Sequence, residues 1–319
     1  MVAAHPSSHR ILVTARVPSD WEDRLIRSAS GADVIMASEP EEALSAAPRA
    51  TIIYGGRITG EILDAARRLE WCHVSSAGVD RIPLHKLRDR NITLTNSRVQ
   101  ASAVADHAMA LLLAWARRIP EAVRNQSCKN WERATGRELK RSTMLIVGMG
   151  SIGSEVARRA VGFGMKVIGV RKQPQMMSYT QKVITPDEMD EALEEADYVV
   201  LACPLTAETR HIIGREELAR MPSHSFLVNI GRGPLVDEDA LIQALVEGSI
   251  AGAGLDVFSQ EPLPGNSPLW DLENVVMTPH IGGSRQGGRA ESVTFFMENL
   301  GRFFSGRPLL NVVDLDAGY

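Results

Sequence analysis

At 319 residues, with 44% hydrophobic and 23% charged side chains, the chain has the composition of a globular protein of about two domains. Its formal net charge is −4, and the basic clusters Arg117-Arg118 and Arg137 to Arg141 are short. These values exclude the broad basic face that a nucleic acid or an anionic membrane would require. No apolar run approaches the roughly 18 residues of a membrane span, and residues 1–10 lack a leader's apolar core, so a cytoplasmic location is expected. Cys72, Cys128 and Cys203 are widely spaced and match no metal-ligand pattern; they read as buried thiols in a reducing compartment, and no metal is expected.

In chain order, the first third predicts strands at Ile11–Thr14, Asp33–Met36, Thr51–Tyr54, Trp71–Ser75 and Ile92–Thr95. Helical patterns such as Glu61–Leu69 lie between most of them, and this alternation predicts a parallel sheet covered by helices. A polar junction, Asn96-Ser97-Arg98, is a candidate hinge. It leads into a long helix over about Ala101–Arg118, where Met109, Leu112, Leu113 and Ala116 recur at helical spacing. A second series comes at Thr143–Val147, Lys166–Val170, Tyr198–Ala202, Phe226–Asn229, Ala251–Leu255 and Val275–Met277, which describes a six-stranded Rossmann-type sheet. The last helix, about Arg289–Phe304, comes after that sheet is complete and has the first domain as its available partner. The expected fold is therefore α/β, with two Rossmann-like or flavodoxin-like parallel-sheet domains flanking an interdomain cleft. Residues 1–98 with 287–319 would form a discontinuous substrate-binding domain, and 99–286 the dinucleotide-binding one.

Gly148-Met149-Gly150-Ser151-Ile152-Gly153 directly follows the strand Leu145-Ile146-Val147 and opens a helix, the context that a GxGxxG phosphate turn requires. Gly148 permits the tight turn, Gly150 lets a pyrophosphate approach the backbone, and Gly153 allows close helix–strand packing. The helix N-terminus, with its free amides and dipole, favours the phosphate charge. About 20 residues on, where an NAD-binding chain places a carboxylate for the ribose, the second strand ends in Arg171-Lys172. Two cations without an acid suit a 2′-phosphate, so NADP(H) is expected to be preferred, with NAD(H) as the alternative.

Further segments carry a resemblance: Cys203-Pro204-Leu205-Thr206 with Thr209, Val228 to Asp237 around Arg232, Gly254-Leu255-Asp256-Val257-Phe258, Glu261-Pro262 and Thr278-Pro279-His280-Ile281-Gly282-Gly283. With the glycine turn, their order and spacing resemble the D-isomer-specific 2-hydroxyacid dehydrogenases over nearly the whole chain. The resemblance implies Arg232, Glu261 and His280 as the catalytic set. Hydride addition to a 2-oxo acid puts negative charge on the carbonyl oxygen, to which a protonated His280 donates as general acid. Glu261 would orient the imidazole and stabilise its cation, while Arg232 grips the carboxylate and polarises the carbonyl. It further implies that Ser76, Ala77 and Gly78, in the strand-ending turn Ser75 to Asp80, hold the substrate carboxylate on successive amides. Besides the turn (Gly148, Gly150, Ser151, Ile152, Gly153) and Arg171 and Lys172, the implied cofactor contacts are Cys203, Pro204, Thr209, Ile230, Asp256 and Gly283, with Asp256 receiving the carboxamide. The chain departs from many relatives at Arg98, where glycine is common.

The function expected from this resemblance is NADPH-dependent reduction of a 2-oxo acid to the D-2-hydroxy acid, reversibly. Glyoxylate and hydroxypyruvate stand beside bulkier 2-oxo acids as substrates, and a homodimer is implied by resemblance alone. A dinucleotide-sensing interaction protein is the alternative from another class; the intact Arg-Glu-His set counts against it.

Overall fold

The structure, a computed structural model, describes residues 8–56 and 58–319. The chain divides into two compact units, Met1–Gln100 with Arg285–Tyr319, and Ala101–Ser284.

The first unit is built on five parallel strands, β1 (Arg10–Val13), β2 (Asp33–Met36), β3 (Ile52–Gly55), β4 (Trp71–Val74) and β5 (Thr93–Asn96), in spatial order β2-β1-β3-β4-β5. Side chains alternate across a strand. Ile11 and Val13 therefore enter one core layer with Leu25, Tyr54, Trp71, Phe296 and Leu300, while Leu12 enters the other with Ile53, Leu63, Cys72 and Leu94. Helices α1 (Ser19–Ser28), α2 (Pro40–Ala46), α3 (Gly60–Ala65) and α4 (Leu84–Arg88) connect the strands. The C-terminal helix, α11 (Gly288–Phe304), supplies Val293, Phe296, Leu300 and Phe304 to the first layer and packs against α1. Two expectations need correction here. The helix expected over Glu61–Leu69 ends at Ala65, because Ala66 leaves helical geometry (φ −80°, ψ 66°) and the Arg90 guanidinium takes the carbonyls of Leu63 and Ala66. Of the polar junction, Asn96 and Ser97 are buried and tied to Asn311 and Val74 by backbone hydrogen bonds, so its exposed part begins only at Arg98.

The second unit has seven parallel strands: β6 (Thr143–Val147), β7 (Lys166–Val170), β8 (Lys182–Ile184), β9 (Tyr198–Leu201), β10 (Phe226–Asn229), β11 (Gly252–Leu255) and β12 (Val275–Met277). Their order is β12-β11-β10-β9-β6-β7-β8. The short edge strand β8 is the one the sequence pattern does not predict; three residues give no readable alternation. Strand order reverses between β6 and β9, and the carboxyl ends on either side of such a reversal form the crevice where open α/β sheets bind ligands. Helices α5 (Ala101–Ala116), α6 (Ile119–Ser127), α7 (Ser151–Gly162), α8 (Met189–Glu194), α9 (Arg215–Arg220) and α10 (Glu238–Glu247) complete the unit. Cys72 and Cys203 are buried, and burial pushes both thiols up to about 12. Cys128 is exposed, contrary to expectation, because it follows α6, a helix with no buried residue.

One buried group makes the first unit sensitive to acid. His73 on β4 is wholly enclosed, its Nδ1 lies 2.7 Å from Thr95 Oγ1, and Tyr54, Trp71, Phe295 and Phe296 surround the ring. Burial lowers its pKa to about 3. The unfolded chain thus binds a proton near pH 6.5 that the folded chain refuses, and stability falls as pH drops from 6.5 towards 3, by roughly 1.4 kcal/mol per unit. Urea midpoints of His73→Phe should fall less steeply between pH 6.5 and pH 4 than those of the parent; parallel slopes would refute this origin.

Candidate active site

The turn after β6 is shaped by contacts that only glycine tolerates. Gly148 has φ +103°, and a Cβ there would lie 2.4 Å from the Cys203 nitrogen. At Gly153 a Cβ would lie 2.1 Å from the Gly148 carbonyl oxygen. Gly150 differs: it is the N-cap of α7 in extended conformation, and a Cβ would meet nothing within 4 Å. No side chain caps α7, so the amides of its first turn keep the donors that an anion accepts. The Val170 carbonyl accepts from the Gly148 and Met149 amides (3.1 and 3.3 Å), which brings Arg171 beside the turn. Arg171 is half-buried against Met177, and Lys172 pairs with Glu208.

Three loops at the carboxyl ends of β10, β11 and β12 carry the other candidates. After β10, buried Asn229 donates to the Arg232 carbonyl (2.9 Å) and accepts from the Gly231 amide (3.1 Å), closing the turn that presents Arg232. Gly233 abuts the next loop so closely that a Cβ would lie 1.9 Å from the Phe258 carbonyl carbon. In that loop Glu261 Oε1 accepts from the Phe258 amide (3.2 Å), and Oε2 lies 2.8 Å from His280 Nδ1. The carboxylate is thus anchored at one oxygen and holds the imidazole with the other. His280 itself has φ +53°, a left-handed conformation that costs a non-glycine residue about 1–3 kcal/mol. Its amide donates to the Asp256 carbonyl at 2.8 Å. Asp256 is buried, and its side chain accepts from Thr278 Oγ1 (2.7 Å) and the amides of Ile281 and Gly282 (both 2.8 Å).

With this geometry, residues 109–282 match the D-isomer specific 2-hydroxyacid dehydrogenase NAD-binding domain. The chain belongs to the D-isomer specific 2-hydroxyacid dehydrogenase family. A glyoxylate/hydroxypyruvate reductase B from Yersinia pestis (strain Pestoides F) is 36% identical over 315 residues, 95% of this chain and 97% of that one. Among solved structures, a D-isomer specific 2-hydroxyacid dehydrogenase from Xanthobacter autotrophicus Py2 in complex with NADPH and MES is 28% identical, with a TM-score of 0.85 over 98% of this chain and 100% of that one. An NADPH-dependent glyoxylate/hydroxypyruvate reductase from Sinorhizobium meliloti, in complex with NADP and sulfate, is 25% identical with the same TM-score and the same shares. The protein is an NAD(P)-dependent dehydrogenase.

The remaining candidates of this dehydrogenase fall at several depths. Cys203 is buried, while Pro204 is exposed in a loop closed by the Thr209 hydroxyl, which donates to the Pro204 carbonyl at 2.7 Å. Ser151 is exposed at the start of α7, and Gly283 is half-buried after His280. The Ile230 side chain is in the core and that of Ile152 packs against it, so what these two positions offer a cofactor is backbone. In the first unit, Ser76, Ala77 and Gly78 are half-buried; Ser76 Oγ donates to the Gly78 carbonyl and Asn96 Nδ2 to that of Ala77. No residue of this bend has positive φ, so it is not an alternating right- and left-handed nest. Its three successive amides nevertheless donate to no described residue. Asn229, Thr278 and His107 join the site without being candidates in the sequence; the signal for the last is a histidine on α5, a largely apolar helix whose other polar residues are Ser102 and Asp106.

The open space at Gly150 and the crowding at Gly153 separate binding from folding. Gly150→Ala should keep the parent's melting temperature yet weaken dinucleotide binding by at least tenfold, whereas Gly153→Ala should also melt several degrees lower. Undiminished dinucleotide binding in Gly150→Ala would show that the Gly150 side of the turn is not a ligand cradle.

Proposed function

We propose that this dehydrogenase reduces a 2-oxo acid to the D-2-hydroxy acid, reversibly and with NADPH preferred. The observation that carries the reading is the 2.8 Å contact between His280 Nδ1 and Glu261 Oε2, with the carboxylate fixed by the Phe258 amide. Glu261 accepts a hydrogen bond from Nδ1–H, which leaves Nε2 as the atom that donates its proton to the substrate carbonyl oxygen and recovers the proton in the reverse direction. Arg232 stabilises the charge developing on that oxygen and pairs with the substrate carboxylate. A bound reduced nicotinamide supplies the hydride. The amides of Ser76, Ala77 and Gly78 are the further candidates for binding a substrate carboxylate. The relatives' names favour glyoxylate and hydroxypyruvate over bulkier 2-oxo acids as the first substrates to test.

A matrix of NADPH and NADH against these acids, read by nicotinamide absorbance, tests the activity. Turnover should be highest with NADPH and should fall at least a thousandfold in His280→Ala with dinucleotide binding intact; no turnover with any pair would refute the reading. NADPH preference is supported by Arg171 and Lys172 beside the phosphate turn, and by the NADPH and NADP complexes of the structural relatives. Arg171→Asp should lower the NADPH-to-NADH ratio of kcat/KM by tenfold or more; an unchanged ratio would count against the assignment.

A homodimer is supported by a surface in the second unit. Helix α6 has no buried residue, and Gln126 to Glu138 are exposed throughout, with Trp131 95% accessible. Within this region Ile119, Val123 and Trp131 are large apolar side chains left exposed, a feature of interfaces. Trp131→Glu should sediment as a monomer where the parent sediments as a dimer; a monomeric parent would refute the proposal. Among the described residues no helix is long and apolar enough to cross a membrane.

A further inference from the structure

Helix α5 lies along β11 in a register that brings one of its residues to the carboxyl end of that strand. A Cβ on Gly252 would lie 2.8 Å from Trp115 Nε1, and one on Gly254 would lie 3.0 Å from Leu111 Cβ. Four helical residues rise about 6.0 Å and two strand residues about 6.6 Å, so steps of four along α5 keep pace with steps of two along β11. Trp115 over Gly252 and Leu111 over Gly254 therefore continue to residue 107 over residue 256. His107 is found there: its Nε2 lies 2.8 Å from Thr278 Oγ1 and 3.3 Å from Asp256 Oδ1, and its Cδ2 would be 3.2 Å from a Cβ on Gly282.

The hydroxyl of Thr278 has one proton, and at 2.7 Å it goes to Asp256 Oδ1. His107 must then donate from Nε2 to Thr278 Oγ1, and the chain of hydrogen bonds runs His107 to Thr278 to Asp256. Asp256 in turn accepts the His280 amide at its carbonyl and the Ile281 and Gly282 amides at its carboxylate. The His280 amide lies 3.0 Å from the Thr278 carbonyl as well, so the backbone donors described for residues 280–282 all end on Asp256 or Thr278, the two residues whose side chains His107 Nε2 meets. His280, in its left-handed conformation, is held within this set.

We infer that His107 is a positioning residue, which acts through Thr278 and Asp256 to hold the loop carrying His280 at the angle where its imidazole meets Glu261. The inference rests on the assignment of His280 as the general acid. His107 touches neither the imidazole nor Glu261 among the described contacts, so its effect reaches the reaction only through the loop backbone.

Three variants test this in the assay of 2-oxo acid reduction by NADPH: His107→Leu, which keeps bulk and removes the donor, His107→Gln, which restores an N–H near the same place, and Thr278→Val, which cuts the chain in its middle. His107→Leu and Thr278→Val should each lower kcat by about tenfold while KM for NADPH stays within twofold. Amide exchange over residues 279–283, followed by mass spectrometry, should quicken in both, and His107→Gln should recover at least half of the lost kcat. Parent-like kcat in His107→Leu, a loss confined to KM for NADPH, or a glutamine variant no better than leucine would each overturn the role. Should His107→Leu fail to fold, Thr278→Val and His107→Gln carry the same comparison against the parent. His280→Ala, run alongside, keeps the two readings apart: if it still turns over, the general-acid assignment falls and takes this inference with it. If His280→Ala is inactive and His107→Leu is unaffected, only the role of His107 falls.

Discussion

Parallel strands deliver all their carboxyl ends to one edge of a sheet, and this constraint organises the candidate site. Gly148, Arg171, Cys203, Arg232, Asp256 and His280 each lie within a few residues of the end of β6, β7, β9, β10, β11 or β12. They are scattered over more than 130 positions of sequence, yet the strand order collects them around the reversal between β6 and β9. The strands themselves have no chemistry to offer, being apolar runs covered by helices on both faces. Function is confined to the loops and helix starts beyond the strand ends.

At the centre of that edge lies a buried carboxylate. An ionised Asp256 in a position only 2% exposed would be strongly destabilising without partners. The Thr278 hydroxyl and the Ile281 and Gly282 amides offset that penalty, and charge-assisted bonds of this kind are the stronger class. The same bonds bend the chain tightly after β12 and sustain the left-handed His280. Desolvation of one side chain thus becomes geometric control over another. Asn229 does the equivalent work after β10, where both ends of its amide are consumed in shaping the turn before Arg232.

Most of the fold was legible from residue pattern. Both sheets could be read because inner parallel strands are continuous apolar runs, and Thr143–Val147, Lys166–Val170 and Phe226–Asn229 match the predicted limits to the residue. Strand β8 escaped because three edge residues carry no period, and the early end of α3 escaped because Arg90, distant in sequence, takes its last carbonyls. Cys128 departs from expectation for a related reason: a cysteine's habit is burial, but Cys128 follows α6, which buries none of its residues.

For the site, local context was enough to name the glycine turn, while Arg232, Glu261 and His280 were implied by the resemblance to the family, whose chemistry suits the charge each of them would meet. Spacing along the chain, however, contains no distance across space. That Glu261 reaches His280 Nδ1 while also holding the Phe258 amide depends on how the loop after β11 folds back against Gly233. That His107 belongs to the same network depends on the matched rise of α5 and β11 and on glycines at 252 and 254 that let helix and strand approach. Local sequence determined which strands form and which residues come after them, because backbone preference and apolar period act over a few residues. Tertiary packing alone decided which of those residues meet, because contact is settled by layers of the fold that the chain reaches only after long excursions.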